Sequence, residues 1–329
     1  MSGGGGNDHD GRSAVGSSAV LFPGQGSPPR DVAELIRREL PELADLLHDV
    51  AGADLFSRPE HSQRRLQLAI FGAMMCGWSR LGEMIRAGDL ERAGGIEDPA
   101  FAAGHSLGEI AALVAAGSID IESAVRLVHA RGEAMEEALA GPARGAMAAL
   151  VGPGAHEFAA GLLGGPGLWL ANDNSSVQVV VSGTEEAIDD AIERAAAAGM
   201  RVVRMPMNGA GHSPLMASSL PRFEAALERT SFDPPSLPVY SGVTARPFTD
   251  PRRQLAASVT STVRFREVLL DLRERGVRTF IDTGPGHTMA SLAHKTLTGV
   301  VTVTVADIAD RLAGGPEVAG RAIAVEGHA

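Results

Sequence analysis

The chain has 329 residues, 44% hydrophobic and 21% charged, enough to bury one large core or two moderate ones. A net charge of −11 and a pI of about 5.4 argue against a general nucleic-acid binder, which carries a basic stripe. The single cysteine, Cys76, excludes an internal disulfide and a Cys-based zinc site, and no metal or bound cofactor is expected.

Residues 1–18 are Gly/Ser-rich and polar and read as a disordered leader without the features of a secretory signal. No stretch offers eighteen uninterrupted apolar residues, so a cytoplasmic monomer with no membrane partner is the expectation. Ala19 to Phe22 reads as a buried strand that ends at the turn Pro23-Gly24-Gln25-Gly26. Helical patterns follow at 31–50 and 61–87, the second carrying Cys76 as a buried apolar side chain. Phe101 to Ala103 is a short strand, 107–116 has helical composition, and 121–140 is a helix capped near Ser118 or Asp120.

After Gly141-Pro142 the order changes. Strands at 146–151, 168–171, 177–182 and 201–205 alternate with helices at 156–163 and 185–198, giving β-α-β-β-α-β. Longer elements then resume. Helix is expected at 214–228, 262–275 and 288–296, and strand at 239–240 and 277–281. The fold class is therefore α/β: a large α/β-hydrolase-like domain at 19–141 and 210–311, interrupted by a small ferredoxin-like subdomain at 142–209. Residues 312–329 read as a flexible tail.

Gly104-His105-Ser106-Leu107-Gly108 fits G-x-S-x-G between a strand and a helix. So sharp a turn strains the serine backbone and aims its hydroxyl at a helix N-terminus, where free N–H groups favour an oxyanion. Such a serine needs a base. Of ten histidines, His9 and His328 lie in the tails, and His48, His61 and His156 have surface-like surroundings. His105 adjoins the serine, and His129 shares a helix with Arg131. Of His212, His287 and His294, His212 is the choice because it sits in the Gly-rich loop 208–214.

Six separated motifs together resemble one family, the malonyl-CoA:acyl-carrier-protein transacylases and the discrete acyltransferases of polyketide synthases. They are Phe22-Pro23-Gly24-Gln25-Gly26-Ser27; Gly104-His105-Ser106-Leu107-Gly108-Glu109; Arg131-Gly132 with Met135; Asn172-Asp173-Asn174 with 178–183; His212-Ser213-Pro214-Leu215-Met216; and Gly284-Pro285-Gly286. The resemblance spans about 19–306 and implies a Ser106–His212 dyad with an acyl-serine intermediate. It implies backbone N–H groups of Gln25 and Leu107 as the oxyanion hole. Arg131 would hold a substrate carboxylate through its bidentate guanidinium; the alternative is a solvated arginine near Glu133 and Glu136. The implied partners are acyl-CoA and an acyl carrier protein, whose phosphopantetheine is carried by the partner.

Asp282 stands where the family usually has Glu and is a carboxylate to locate. The substrate-facing group comprises His105 and the loop Gly209-Ala210-Gly211 ahead of His212. The pattern is similar to that of members that accept bulkier extender units, which implies a malonyl-type acyl unit in a pocket that admits an α-substituent larger than hydrogen, such as that of ethylmalonyl. Between Arg246 and Arg278, eight arginines face four acidic residues in number. Arg252, Arg253, Arg264 and Arg266 are candidate carrier-protein docking residues, with an ordinary solvated helix face as the alternative. Two other enzyme readings share the elbow: a transferase moving a bulky acyl chain between carrier proteins, and a serine hydrolase that edits them.

Overall fold

The computed structural model describes residues 17–26, 31–52, 55, 62–141, 144–205 and 209–314. Residues 1–16, 315–329, Ser27 and Asn208, which figure in the leader, tail and motif expectations, lie outside them.

A six-stranded sheet forms the centre of the larger part. It contains β1 (Ser18–Phe22), β2 (Pro99–Gly104), β7 (Val239–Ser241), β8 (Arg246–Pro247), β9 (Thr279–Asp282) and β10 (Val301–Thr304) in the order β10-β9-β1-β2-β7-β8. Every pairing is parallel except β7 with β8. Alternation along β1 shows why a continuous apolar run is needed. Val20 and Phe22 enter one core, while Ala19 and Leu21 enter the other. The first core is covered by α1 (Val32–Glu39), α2 (Pro41–Ala51), α3 (Gln63–Arg86), α4 (Asp89–Arg92), α5 (Gly108–Ala115), α6 (Ile121–Ala140), α9 (Leu220–Glu228), α10 (Pro251–Thr260) and α13 (Val305–Leu312). The second is covered by α11 (Phe265–Glu274) and α12 (Thr288–Thr296).

A second sheet holds β3 (Ala146–Val151), β4 (Leu168–Ser175), β5 (Gln178–Gly183) and β6 (Arg201–Arg204) in the order β4-β5-β3-β6, all antiparallel. The helices α7 (Ala155–Leu162) and α8 (Glu185–Ala197) complete the expected β-α-β-β-α-β order. Ala146, Ala148 and Leu150 of β3 face these helices, whereas Met147 packs on Ala171 and Val180 on the opposite face. The strict period of two thus leaves an apolar face free for something other than α7 and α8.

Three expected helices differ in start or continuity, and the strand expected over 168–171 runs on to Ser175. The helix expected over 31–50 breaks into α1 and α2 because Pro41 has no N–H to continue it and instead opens α2. The helix expected over 214–228 begins as a 3₁₀ turn at Pro214–Ser219. The helix expected over 262–275 starts only at Phe265, because the preceding residues run extended beside β4. Asp173 N donates to Val263 O at 2.9 Å, Val263 N donates to Ala171 O at 2.9 Å, and Thr262 Oγ1 donates to Leu170 O at 2.6 Å. Periodicity gave no warning of α10, α13, β8 or β10.

That seam is reinforced by charge. Arg266 on α11 holds the buried Asp173 through three contacts of 2.8–3.0 Å, and His156 Nε2 lies 2.8 Å from Asp173 Oδ1. His156, expected as a surface residue, is therefore part of the joint. Asp173→Ala is expected to destabilise the protein by about 2 kcal/mol, a Tm drop of about 4 °C in calorimetry. The loss stays below the ~3–5 kcal/mol of a fully buried pair because Arg266 keeps contact with water.

Candidate active site

Ser106 sits between β2 and α5 with φ of +53°, a left-handed conformation that L-residues adopt only under constraint. The constraint is close backbone packing. A Cβ on Gly104 would stand 2.1 Å from Gly108 C, and one on Gly108 would stand 2.2 Å from Phe22 O. The turn after β1 presses equally hard, since a Cβ on Gly24 would lie 2.9 Å from His105 O. His105 N donates to Phe22 O at 2.9 Å, locking turn and elbow together. Among the described residues, the main-chain N–H groups of Gln25 and Leu107 make no hydrogen bond.

His212 also has positive φ, +59°. Its Nδ1 lies 2.6 Å from Ser258 O at the carboxyl end of α10. A carbonyl can only accept, so Nδ1 carries the proton and Nε2 is left as the acceptor. Nε2 is 2.9 Å from Ser106 Oγ, which therefore donates to it. Burial, with Arg131 and His105 as neighbours, lowers the His212 pKa, so the ring is neutral near pH 7. The pair can pass a proton from hydroxyl to imidazole, and it needs no buried carboxylate behind the histidine. Asp282 instead accepts from the backbone N–H of Gly284, Met289 and Ala290 at 2.8–3.1 Å and fixes the start of α12. It is a helix-terminus residue, and burial raises its pKa to about 6.

Arg131 lies on the buried stripe of α6 that runs through Ala124, Leu127, Val128, Ala134 and Ala138. It is only 3% exposed, so the solvated-helix alternative is excluded. The helix approaches α3 closely, because a Cβ on Gly132 would lie 2.4 Å from Arg64 Cα. That approach brings Gln67 Oε1 to 2.7 Å from Arg131 Nη1, while Nη2 donates to Ser106 Oγ at 3.0 Å. Among the described residues no carboxylate pairs with this guanidinium. A buried cation is costly unless it is paired, and here one amide oxygen and one hydroxyl satisfy part of the guanidinium.

The other sequence-predicted residues take three different places. His105 bonds Asn174 Oδ1 at 2.8 Å, and Gly211 lines the same cleft. Gly209 is required by the backbone, with φ of +119° and Leu139 against any added Cβ, and Ala210 is fully buried. The four arginines are held differently. Arg266 is held by Asp173, Arg264 pairs with Glu267, and Arg252 donates to Leu227 O and Thr230 O, leaving Arg253 exposed. Two of the four are thus paired with acids, while Arg252 and Arg253 have no acidic partner among the described residues.

The cleft has a volume of about 330 Å³. Turn, elbow and α6 line one side, and the free face of the second sheet lines the other with Met147, Ala149, Val180 and Met205. Gln67, Asn174 and Met147 were missed as site residues. Gln67 carried a signal, as a polar residue inside the apolar run of α3.

A family model described as an acyl transferase domain matches residues 83–318, well over half of the chain. The chain belongs to the acyl transferase family. It is 34% identical over 307 residues to a malonyl CoA-acyl carrier protein transacylase of Bacillus subtilis, covering 88% of this chain and 93% of that one. It is 33% identical over 290 residues to the polyketide biosynthesis protein ThaF of Burkholderia thailandensis. That alignment takes in 86% of this chain but only 24% of the longer relative. A solved complex of a type II polyketide synthase acyl-carrier protein with its malonyl-transacylase, PlMCAT:AntF, contains a similar chain. The TM-score is 0.76 at 28% identity, over 91% of this chain and 100% of that one. The mixed α/β architecture is thus that of malonyl-transacylase-type acyltransferases, and no described helix is long and apolar enough to cross a membrane.

One acid near the site has no counterpart in the expected machinery. Glu109 is fully buried on α5; its Oε1 accepts from Gly242 N at 2.6 Å, and its Oε2 has no hydrogen-bond partner among the described residues. Burial raises its pKa to about 8, so the native state holds a proton that the unfolded chain releases near 4.5. Stability therefore falls as pH rises between these values, where the folded state binds more protons. Glu109→Gln keeps the acceptor and cannot ionise. Its Tm should gain on the wild type steadily from pH 5 to pH 8 and run parallel above that; equal slopes would show that Glu109 is ionised when folded.

Proposed function

We propose that the protein is an acyltransferase that moves a malonyl-type unit from CoA to the phosphopantetheine arm of an acyl carrier protein, through an ester on Ser106. The observation that carries this reading is one three-way contact. Ser106 Oγ lies 2.9 Å from a neutral imidazole acceptor and 3.0 Å from a buried guanidinium that lacks a counter-ion. His212 takes the Ser106 proton as the hydroxyl attacks the thioester carbonyl, then returns a proton to the departing CoA thiol. The carrier's thiol reverses these steps, so the exchange is ping-pong. The free N–H groups of Gln25 and Leu107 hold the oxyanion in both halves. Arg131 turns its fork from Ser106 to the substrate carboxylate, and Gln67 keeps the fork in plane. No cofactor enters the reaction.

In this reading residues 19–141 and 210–311 form an α/β-hydrolase-like catalytic domain, and 142–209 a ferredoxin-like subdomain that roofs the cleft. The strand order of the second sheet supports the latter. Donor and acceptor follow from the likeness to transacylases and to a carrier-bound malonyl-transacylase. The buried Arg131 favours a carboxylated acyl unit over a long uncharged chain or plain ester hydrolysis. An α-substituent is accommodated beside Gly211, which adds no side chain to the wall.

Intact-mass analysis after exposure to malonyl-CoA should find one malonyl adduct on the wild type and none on Ser106→Ala. Adding a holo carrier protein should move the label to the carrier; label recovered only as free acid would make the protein a hydrolase. Arg131→Ala should lower kcat/KM for malonyl-CoA by about 10²–10³, matching the ~2–5 kcal/mol lost with a buried charge pair, and should narrow the advantage over acetyl-CoA.

A further inference from the structure

Gly211 is not required by the fold. Its φ lies outside the left-handed range, and an added Cβ would meet nothing nearer than 3.4 Å. In this it differs from Gly209 two residues earlier. The missing side chain therefore leaves space in the cleft, and Met147 is the residue that faces a Cβ placed there. The nearest atoms to a Cβ at 211 are Met147 Sδ at 3.4 Å and Met147 Cε at 3.9 Å.

We infer that Met147 is the residue that sets the size of α-substituent admitted next to Ser106, acting as a displaceable wall. The inference rests on the acyl-transfer reading. Three observations support it. The alternation of β3 sends Met147 to the cleft face, away from α7 and α8. The side chain is 5% exposed and packs on Ala171 and Val180, with Ala149 next to it on the same face. Methionine is unbranched with three rotatable bonds, so it can re-pack around a substituent where a branched side chain would resist. Such a wall yields graded acceptance of malonyl and α-alkyl malonyl units rather than a single fixed size.

The test is a competition. Equal amounts of malonyl-, methylmalonyl- and ethylmalonyl-CoA are offered to the full chain, and the masses added to Ser106 are compared. Met147→Ala is expected to shift the adduct ratio towards ethylmalonyl by about tenfold. Met147→Leu keeps the volume, so the core tolerates it, but adds a branch; it is expected to shift the ratio about fivefold towards malonyl. Ratios within twofold of wild type in both variants would overturn the inference while leaving acyl transfer intact. No wild-type adduct from any of the three thioesters would overturn the acyl-transfer reading, and the wall with it. A wild type that loads malonyl alone would remove the α-substituent reading only. The wall would then stand if Met147→Ala admits ethylmalonyl and fall if it does not.

Discussion

The backbone contact between the turn after β1 and the elbow after β2 is the constraint on which the site depends. Neighbouring parallel strands bring Phe22 and Gly104 side by side, so the two turns that follow must share one small volume. They can do so only because Gly24, Gly104 and Gly108 carry no Cβ. Ser106 is consequently held at positive φ, while among the described residues the main-chain N–H groups of Gln25 and Leu107 make no hydrogen bond.

Charge in the cleft is arranged by the same economy. Arg131 is buried with one amide and one hydroxyl for company, and desolvation lowers its pKa to about 10. The nearby acid, Glu109, is fully buried and is held protonated near neutral pH. A neutral acid leaves the guanidinium without a charged partner among the described residues. An ionised Glu109 would compete for that charge through the low-dielectric interior. The lowered basicity of His212 belongs to the same field, since Arg131 adds to the effect of burial.

The two sheets contribute different things to the cleft. The six-stranded sheet supplies geometry, with the elbow, the turn and α6 fixed by a core on both faces. The four-stranded sheet supplies an apolar wall of methionine, alanine and valine. It is joined to the first by the strand-like segment ahead of α11 and by the Asp173–Arg266 contacts.

Much of the fold was legible because apolar periodicity is local. The bounds of α6 and β3 fall where the pattern placed them, and the β-α-β-β-α-β order of 146–204 was readable from alternation and length alone. The elements that escaped, such as α10 and α13, have mixed polar sequences whose helicity follows from capping and packing. By itself the sequence determined the strained elbow, because the spacing of Gly104, Ser106 and Gly108 already specifies a strand-to-helix turn, and it marked the loop that carries His212. Only the tertiary structure decided which groups meet. Residues 106 apart form the Ser106–His212 contact, and Ser258 supplies the carbonyl that fixes the ring. Arg131 became a buried cation and Arg266 a structural clamp, although the two look alike in one dimension. Burial and long-range pairing are properties of three-dimensional packing, and no local pattern around an arginine records which partner the fold will bring to it.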